Sequence, residues 1–323
     1  MGPVYEERAF MVPSKGVVTV TINPSIDQTI SIPNFTAGAV NRVQNSRMDA
    51  GGKGINVASF LADYNQPVTA TGFLGANNDE IFRRLFQQKR IEDRCVRIAG
   101  STRIGVKISD VIQRQTTDIN FPGQAPEPAD LMRLFDILKE LSADHEWFVL
   151  SSSVPAGVSA SIYAQMIDVL AGKKIVVDTS GEGLRQAVAA GPWLIKPNVD
   201  ELGELIGRRA ESVDAIAEMA HSLMQQHKIT SVVVSMGKEG AIYFEGDEAI
   251  WAVPPPVEVK STVGAGDAMV AGTVAGKIRG LSLFECAKLA TAFSMIAVSR
   301  IASGLPSIPA VEAARERVSI HRL

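Results

Sequence analysis

The sequence predicts an α/β protein with a mostly parallel central sheet, helices on both faces and a small β-sheet projecting as a lid. Three observations predict this. After Pro122, strand-length apolar runs alternate regularly with helix-length amphipathic runs, which implies a parallel sheet covered on both sides. The β-branched run Val17-Val18-Thr19-Val20-Thr21-Ile22 reads as a buried strand. Two segments, about 25–47 and 96–120, fit no strand–helix unit and together suit a small sheet over a site.

Residues 1–16 carry Glu6, Glu7, Arg8 and two prolines without an apolar run or a cleavage-like end, so a flexible extension is expected there rather than a signal peptide. The first strand ends at the turn signal Asn23-Pro24. Residues 26–48 are mixed in polarity with no helical period. Ile55, Val57, Ala58, Phe60 and Leu61 mark an amphipathic helix after a glycine turn, and a strand follows at Val68–Phe73. A helix over Asp79–Gln88 puts Ile81, Phe82, Leu85 and Phe86 on one face. Arg103–Ser109 alternates polar and apolar, as a strand buried on one side does. Later strands are expected at Trp147–Leu150, Lys174–Asp178, Trp193–Lys196 and Ser231–Ser235. The helices between them are expected at Pro128–Leu141, Ser159–Leu170, Asn198–Ile206 and Ser212–Gln226. A hairpin, Ala241–Phe244 with Ala249–Val253, precedes two helices rich in small residues, Ala265–Ile278 and Leu283–Ser299. One α/β core over 17–323 is the expected organisation.

Composition narrows the function. The 323 residues are 46% hydrophobic and 21% charged, which suits a globular chain able to bury a large core. Thirty-two basic residues against thirty-five acidic ones make no cationic field, so no nucleic-acid partner is expected. No run of eighteen apolar residues appears, so no membrane partner is expected and the expected location is cytoplasmic. Two cysteines, Cys95 and Cys286, argue against a disulfide scaffold and read as buried small apolar residues. The four histidines have no zinc-binding spacing.

Two glycine clusters remain. Gly51-Gly52-Lys53-Gly54 is not a P-loop, because Arg47 stands where the first glycine belongs and Gly54 where Ser or Thr belongs. Nor is it a dinucleotide fingerprint, because Val57 replaces the third glycine. It is a glycine turn opening a helix, with Asn56 in the first turn; free N–H groups there can hold a hydroxyl or an anion, or the glycines can serve packing alone. Thr262-Val263-Gly264-Ala265-Gly266-Asp267 is more informative. Small residues let the backbone wrap a ligand, and the helix that follows points its N–H groups at developing negative charge. Asp267, in the first helical turn, is placed to accept a proton from an attacking hydroxyl, as phosphoryl transfer to an alcohol requires. The bland alternative is an acidic residue complementing a helix dipole.

With both clusters in view, the sequence resembles the ribokinase superfamily, and within it the PfkB-type phosphosugar kinases. Asn23-Pro24-Ser25-Ile26-Asp27 is similar to the N-P-x-x-D opening, and Gly51–Ala58 to the first signature. Lys196-Pro197-Asn198-Val199-Asp200-Glu201 is similar to the K-P-N-x-x-E segment, and Ser261–Asp267 to the second signature. The resemblance runs from residue 17 to about 310, with the motifs in family order. It implies a ribokinase-like three-layer core with a β-sheet lid, and direct in-line phosphoryl transfer from ATP. It implies Asp267 as base, with the Gly264, Ala265 and Gly266 amides as anion hole. Asp27, Gly51, Gly52 and Asn56 would contact the sugar. Lys196, Asn198, Ser235, Gly237 and Thr262 would serve the nucleotide, and Glu201 would hold Mg²⁺ through water. ATP and Mg²⁺ are the implied cofactors; a monovalent cation is left open.

The acceptor implied is itself phosphorylated. Arg42 and Arg103 sit one in each lid segment, where family members that handle phosphosugars place cations, and a guanidinium fork suits phosphate. Lys53 and Lys107 can assist; a solvated sheet face is the bland alternative for the arginines. Ser151 matches a serine of the family's S-G-S-x-P motif, although Ser152 replaces the glycine. Gly72-Phe73-Leu74-Gly75, Thr102-Arg103-Ile104 and Thr117–Gly123 are most similar to the 1-phosphofructokinase branch, which converts fructose 1-phosphate to fructose 1,6-bisphosphate. Minor-type 6-phosphofructokinases and tagatose-6-phosphate kinases share nearly all of this, and a silent sugar-phosphate sensor on the same fold is the alternative from another class. The family also implies a homodimer formed through the lid.

Overall fold

The computed structural model describes residues 16–300 and 304–323, so the expected N-terminal extension, Gly16 apart, lies outside the described residues. The chain enters through β1 (Val17–Thr21) and leaves for a hairpin of β2 (Ser25–Ser31) and β3 (Asn45–Gly51). Helix α1 (Lys53–Asp63) brings it back to β4 (Val68–Gly75), followed by α2 (Glu80–Lys89), β5 (Glu92–Asp93) and β6 (Val96–Ile98). A second hairpin is built from β7 (Ile104–Asp110) and β8 (Gln115–Asn120). The βα series then runs α3 (Pro128–Ser142), β9 (Trp147–Ser151), α4 (Ile162–Val169), β10 (Lys174–Asp178) and α5 (Gly181–Ala189). It continues with β11 (Leu194–Ile195), α6 (Val199–Ile206), α7 (Val213–His227) and β12 (Ser231–Ser235). The antiparallel pair β13 (Ala241–Glu245) and β14 (Glu248–Val253) leads to α8 (Ala265–Ile278), α9 (Leu283–Val298), α10 (Ile308–Arg315) and β15 (Ser319–Arg322).

Among the described residues, eleven strands form the main sheet in the order β15-β14-β13-β12-β11-β10-β9-β1-β4-β5, with β6 also on β4. Strand β1 pairs in parallel with β4 on one side and β9 on the other. Crossovers therefore leave β1 in both directions, which opens a crevice at its carboxyl end, where ligands bind in open α/β sheets. The far edge, from β12 to β15, is antiparallel.

Alternation along the parallel strands divides the core into two. Val17, Val149, Val176, Leu194 and Val233 face the layer of α1, α2, α8, α9 and α10. Val18, Phe148, Ile175, Val177, Ile195 and Val232 face the layer of α3 to α7. Small residues bring α8 and α9 close together: a Cβ on Gly272 would lie 2.6 Å from Ala290 Cα. Trp147 and Trp193 serve packing, meeting edge-to-face with ring centroids 5.1 Å apart.

The four-stranded second sheet, β3-β2-β7-β8, comes from the two segments that fitted no strand–helix unit. Its bounds differ from those expected. Strand β3 runs on to Gly51, and Val96–Ile98 pairs with β4 in the main sheet. The first segment is a long-looped hairpin and not irregular chain. Strand β11 is only Leu194–Ile195, because Asn198 already caps α6. Helices α5 and α10 and strand β15 had no sequence expectation. Cys286 is buried as expected, whereas Cys95 is only half-buried.

Candidate active site

Two helix N-termini meet at the carboxyl ends of β1, β9 and β10. Helix α1 starts behind Gly52, whose φ of 113° suits glycine, and a Cβ there would also come within 3.0 Å of Thr21 Cγ2. Helix α8 starts behind Gly264 in the left-handed region at φ 78°, with Ala265, Gly266 and Asp267 in its first turn. First-turn N–H groups have no intrahelical acceptor, so this end of α8 is a concentration of positive partial charge.

The two helices are joined across this gap by one hydrogen bond. Asn56 Nδ2 donates to Asp267 Oδ2 at 2.8 Å. Asp267 is 6% exposed. Burial, and then the negative charge of Asp178, push its carboxyl up to about 6; the Asn56 amide, Lys53 and Lys196 pull the other way. A buried carboxylate of this kind, held by a neutral donor beside a helix N-terminus, is equipped to take a proton near neutral pH.

Asp178, which the sequence reading passed over, is the electrostatic centre of the crevice. It ends β10 in register with Ser151 at the end of β9. Ser151 Oγ donates to it at 3.3 Å, Lys196 Nζ lies 3.2 Å away and Lys53 Nζ 3.4 Å away. Burial opposes its charge, but the two lysines more than offset that and hold its carboxyl below the usual range. Lys53 is raised in turn: Asp178, Asp267 and Glu201 outweigh its burial. Lys196 also reaches the α8 turn, since a Cβ on Gly266 would sit 3.3 Å from its Nζ. The signal for Asp178 was in the sequence: a carboxylate at the end of the apolar run Ile175-Val176-Val177, at the crevice end of a parallel strand.

Asn198 and Glu201 cap α6 reciprocally. Asn198 Oδ1 accepts from the Glu201 N–H and Glu201 Oε2 from the Asn198 N–H, both at 2.8 Å. Asn198 is bridged to Ser235 at the end of β12, and Gly237 follows with φ 61°. Thr262 is exposed in the turn before α8. Beside that turn, residues 256–260, α9 and α10 enclose a groove of about 550 Å³ that includes Lys260 and Arg317.

The second sheet brings Asp27 to the same crevice. Ser25 Oγ donates to Asp27 Oδ1 at 2.6 Å. The carboxylate lies over Gly51 on the neighbouring strand, where a Cβ would come within 2.3 Å of Oδ2. Gly51 is therefore glycine to make room for Asp27. Arg103 precedes β7, and its Nε donates to Asn23 Oδ1 at 3.1 Å. Arg42 is not brought to this group. It is exposed in the 32–44 connection, at the end of the sheet away from Ser25 and Gly51. Lys107 pairs across the sheet with Asp118 at 3.5 Å.

Groups of three or more His, Cys, Asp or Glu side chains able to hold a metal are absent among the described residues. No helix among them is long and apolar enough to cross a membrane.

Residues 20–310 match the profile of the pfkB family carbohydrate kinases. A 1-phosphofructokinase of Rhodobacter capsulatus is 46% identical over 310 residues, covering 95% of this chain and 98% of the relative. The 1-phosphofructokinase of Escherichia coli K12 is 37% identical, covering 95% and 98%. Among solved structures, phosphofructokinase-2 from Escherichia coli in complex with potassium superimposes with a TM-score of 0.87 at 28% identity, covering 93% of this chain and 98% of that one. A sheet that switches at β1, two glycine-opened helices facing one another, and a family match across nearly the whole chain lead to one conclusion: the chain belongs to the pfkB family of carbohydrate kinases, ATP-dependent enzymes that phosphorylate sugars.

Proposed function

We propose that this protein transfers the γ-phosphoryl group of ATP to fructose 1-phosphate, giving fructose 1,6-bisphosphate, with Asp267 as the base. The observation that carries the mechanism is the buried Asp267 carboxyl at the α8 N-terminus, tied to α1 through Asn56. Relatives 37–46% identical along the chain and named 1-phosphofructokinases support the acceptor.

In this reading Asp27, Asn56 and the backbone of Gly51 and Gly52 hold the sugar hydroxyls. Arg103 and Lys53 receive the phosphate the sugar already carries, and Ser151 steadies the Asp178–Lys53 pair beneath it. Asp267 takes the proton of the attacking hydroxyl as the O–P bond forms, and the bond to the leaving ADP oxygen breaks in line. The Gly264, Ala265 and Gly266 amides face the charge on the transferring group, with Lys196 beside them. Asn198, Ser235, Gly237 and Thr262 line the nucleotide side.

Glu201 suits Mg²⁺ held through water, because its capping bond uses Oε2 and leaves the other carboxylate oxygen. Magnesium bound mainly by substrate phosphates needs only one or two protein carboxylates, which fits this site. When bound, the ion neutralises charge on the nucleotide phosphates.

The proposed homodimer, formed through the lid, is supported by exposed apolar residues of that sheet and its connections: Val40, Val43, Val111, Ile112, Ile119 and Phe121.

A coupled ADP-release assay tests the reading with fructose 1-phosphate, fructose 6-phosphate and tagatose 6-phosphate. The highest kcat/KM is expected for fructose 1-phosphate. A higher value for fructose 6-phosphate would make the chain a 6-phosphofructokinase, and no ADP release with any sugar would make it a sensor.

A further inference from the structure

The run Ser151-Ser152-Ser153 carries a hydroxyl at its middle position, where the family pattern has glycine. The structure shows what that hydroxyl does. Ser152 is 2% exposed and is not among the positive-φ residues, so its backbone does not require glycine. Its Oγ accepts the Asn23 backbone N–H at 2.9 Å and donates to the Ser153 carbonyl at 3.0 Å. The buried Tyr163 hydroxyl donates to the Ser152 carbonyl and anchors the residue to α4. Ser153 Oγ in turn accepts from Asn23 Nδ2 at 2.9 Å.

Both ends of Asn23 are therefore held, which fixes the direction of its amide oxygen. Gly123 packs against that oxygen so closely that a Cβ would lie 2.2 Å from it. The oxygen accepts Arg103 Nε at 3.1 Å. No carboxylate pairs with Arg103 among the described residues, so no ion pair competes for its two Nη groups when an anion binds. The relay runs Tyr163–Ser152–Asn23–Arg103, from the core into the lid.

We propose that Ser152 is a positioning residue for recognition of the sugar's phosphate: its hydroxyl fixes Asn23, and Asn23 aims the Arg103 guanidinium. This rests on the reading of Arg103 as the phosphate contact. An arginine left to its own rotamers must be ordered by the ligand, at the ligand's cost in affinity. One aimed in advance offers its two-pronged donor set at once. A glycine at 152 keeps the Tyr163 bond to the backbone carbonyl but removes the acceptor of the Asn23 N–H, the one link of the relay that needs the side chain.

The test is a double-mutant cycle read as KM for fructose 1-phosphate, with KM for ATP alongside. Ser152→Gly is expected to raise the phosphosugar KM roughly three- to ten-fold, the worth of one hydrogen bond, with the ATP KM unmoved. Ser152→Thr, which keeps the hydroxyl, is expected to restore it, and Asn23→Ala to reproduce the Ser152→Gly profile. In the Arg103→Ala background, Ser152→Gly is expected to add nothing, because its effect passes through Arg103. Additive effects, or equal rises in both KM values, overturn the proposal as a general distortion of the loop. An unchanged phosphosugar KM in Ser152→Gly, with a raised one in Arg103→Ala, overturns the proposal alone. An unchanged KM in Arg103→Ala overturns the Arg103 reading and the proposal with it.

Discussion

Replacing Asn56 by alanine should move the pH profile of this enzyme, and the structure sets both direction and size. Asn56 Nδ2 donates to Asp267 Oδ2 at 2.8 Å, a bond that favours the ionised carboxylate. Burial and Asp178 bring Asp267 up to about 6 even with that bond in place. A hydrogen bond to a charged group is worth about 1.5–3 kcal/mol, and about 1.4 kcal/mol is one pKa unit. Asn56→Ala should therefore carry the acid limb of kcat/KM from about 6 to about 7–8. Asn56 also contacts the sugar in the proposed mechanism. Loss of that contact lowers the plateau at every pH without moving the limb, so the limb's position is the readout. The assay is kcat/KM for fructose 1-phosphate from about pH 5 to about pH 9, a profile that reports the free enzyme. A limb that stays in place, or moves to lower pH, would refute the assignment of Asp267 as a base tuned by Asn56.

Asp267→Asn should lower kcat by about 10²–10⁴-fold with sugar affinity retained; near-normal turnover would remove the base. The same variant should be more stable than the parent above pH 6. Asp267 binds its proton more tightly when folded, so its contribution to stability is full below the ordinary 3.8 and is lost as pH rises to about 6. The gain should be of order 2–3 kcal/mol at pH 8 and fade below about pH 4, measured by urea unfolding at both pH values. Asp178→Ala strands buried Lys196, whose side chain is 8% exposed, and should cost about 3–5 kcal/mol; a loss under about 1 kcal/mol would mean the pair does not organise the crevice. Gly51→Ala forces a Cβ to within 2.3 Å of Asp27 Oδ2 and should raise the sugar KM at least several-fold while sparing the ATP KM. The proposed lid dimer predicts that Ile112→Glu, at a position 63% exposed on the lid, lowers the sedimentation coefficient in analytical ultracentrifugation from that of a dimer to that of a monomer; an unaltered coefficient would remove the lid contact from the proposal.

Much of the fold was legible because period and punctuation agree along the chain. The strand Lys174–Asp178 and the helix Ala265–Ile278 fall where apolar runs and turn residues put them. Helix α5 escaped because Thr179-Ser180-Gly181-Glu182-Gly183 reads as a loop. In the structure Gly183 is there for packing: a Cβ would press within 3.2–3.4 Å of Val154, Thr179 and Tyr163. A glycine serving a close approach and one serving a turn look alike in one dimension. Strand β15 escaped because Ser319–Arg322 has no apolar face of its own and is a strand only through pairing with β14.

The sequence by itself determined the fold class, the family and the two glycine-opened helices, because those depend on local periodicity and on which residues a backbone turn admits. Tertiary structure alone decided the electrostatics of the site. Burial and then the charge of Asp178 raise Asp267, Lys53 and Lys196 pull it down, and the same two lysines hold Asp178 ionised; these four positions, distant in sequence, meet at the ends of adjacent strands and helices. It also decided that Arg103 enters the site region while Arg42 stays at the far end of the lid sheet. Coulombic and hydrogen-bond energies fall off within a few ångströms, so they depend on distances that the order of residues does not contain.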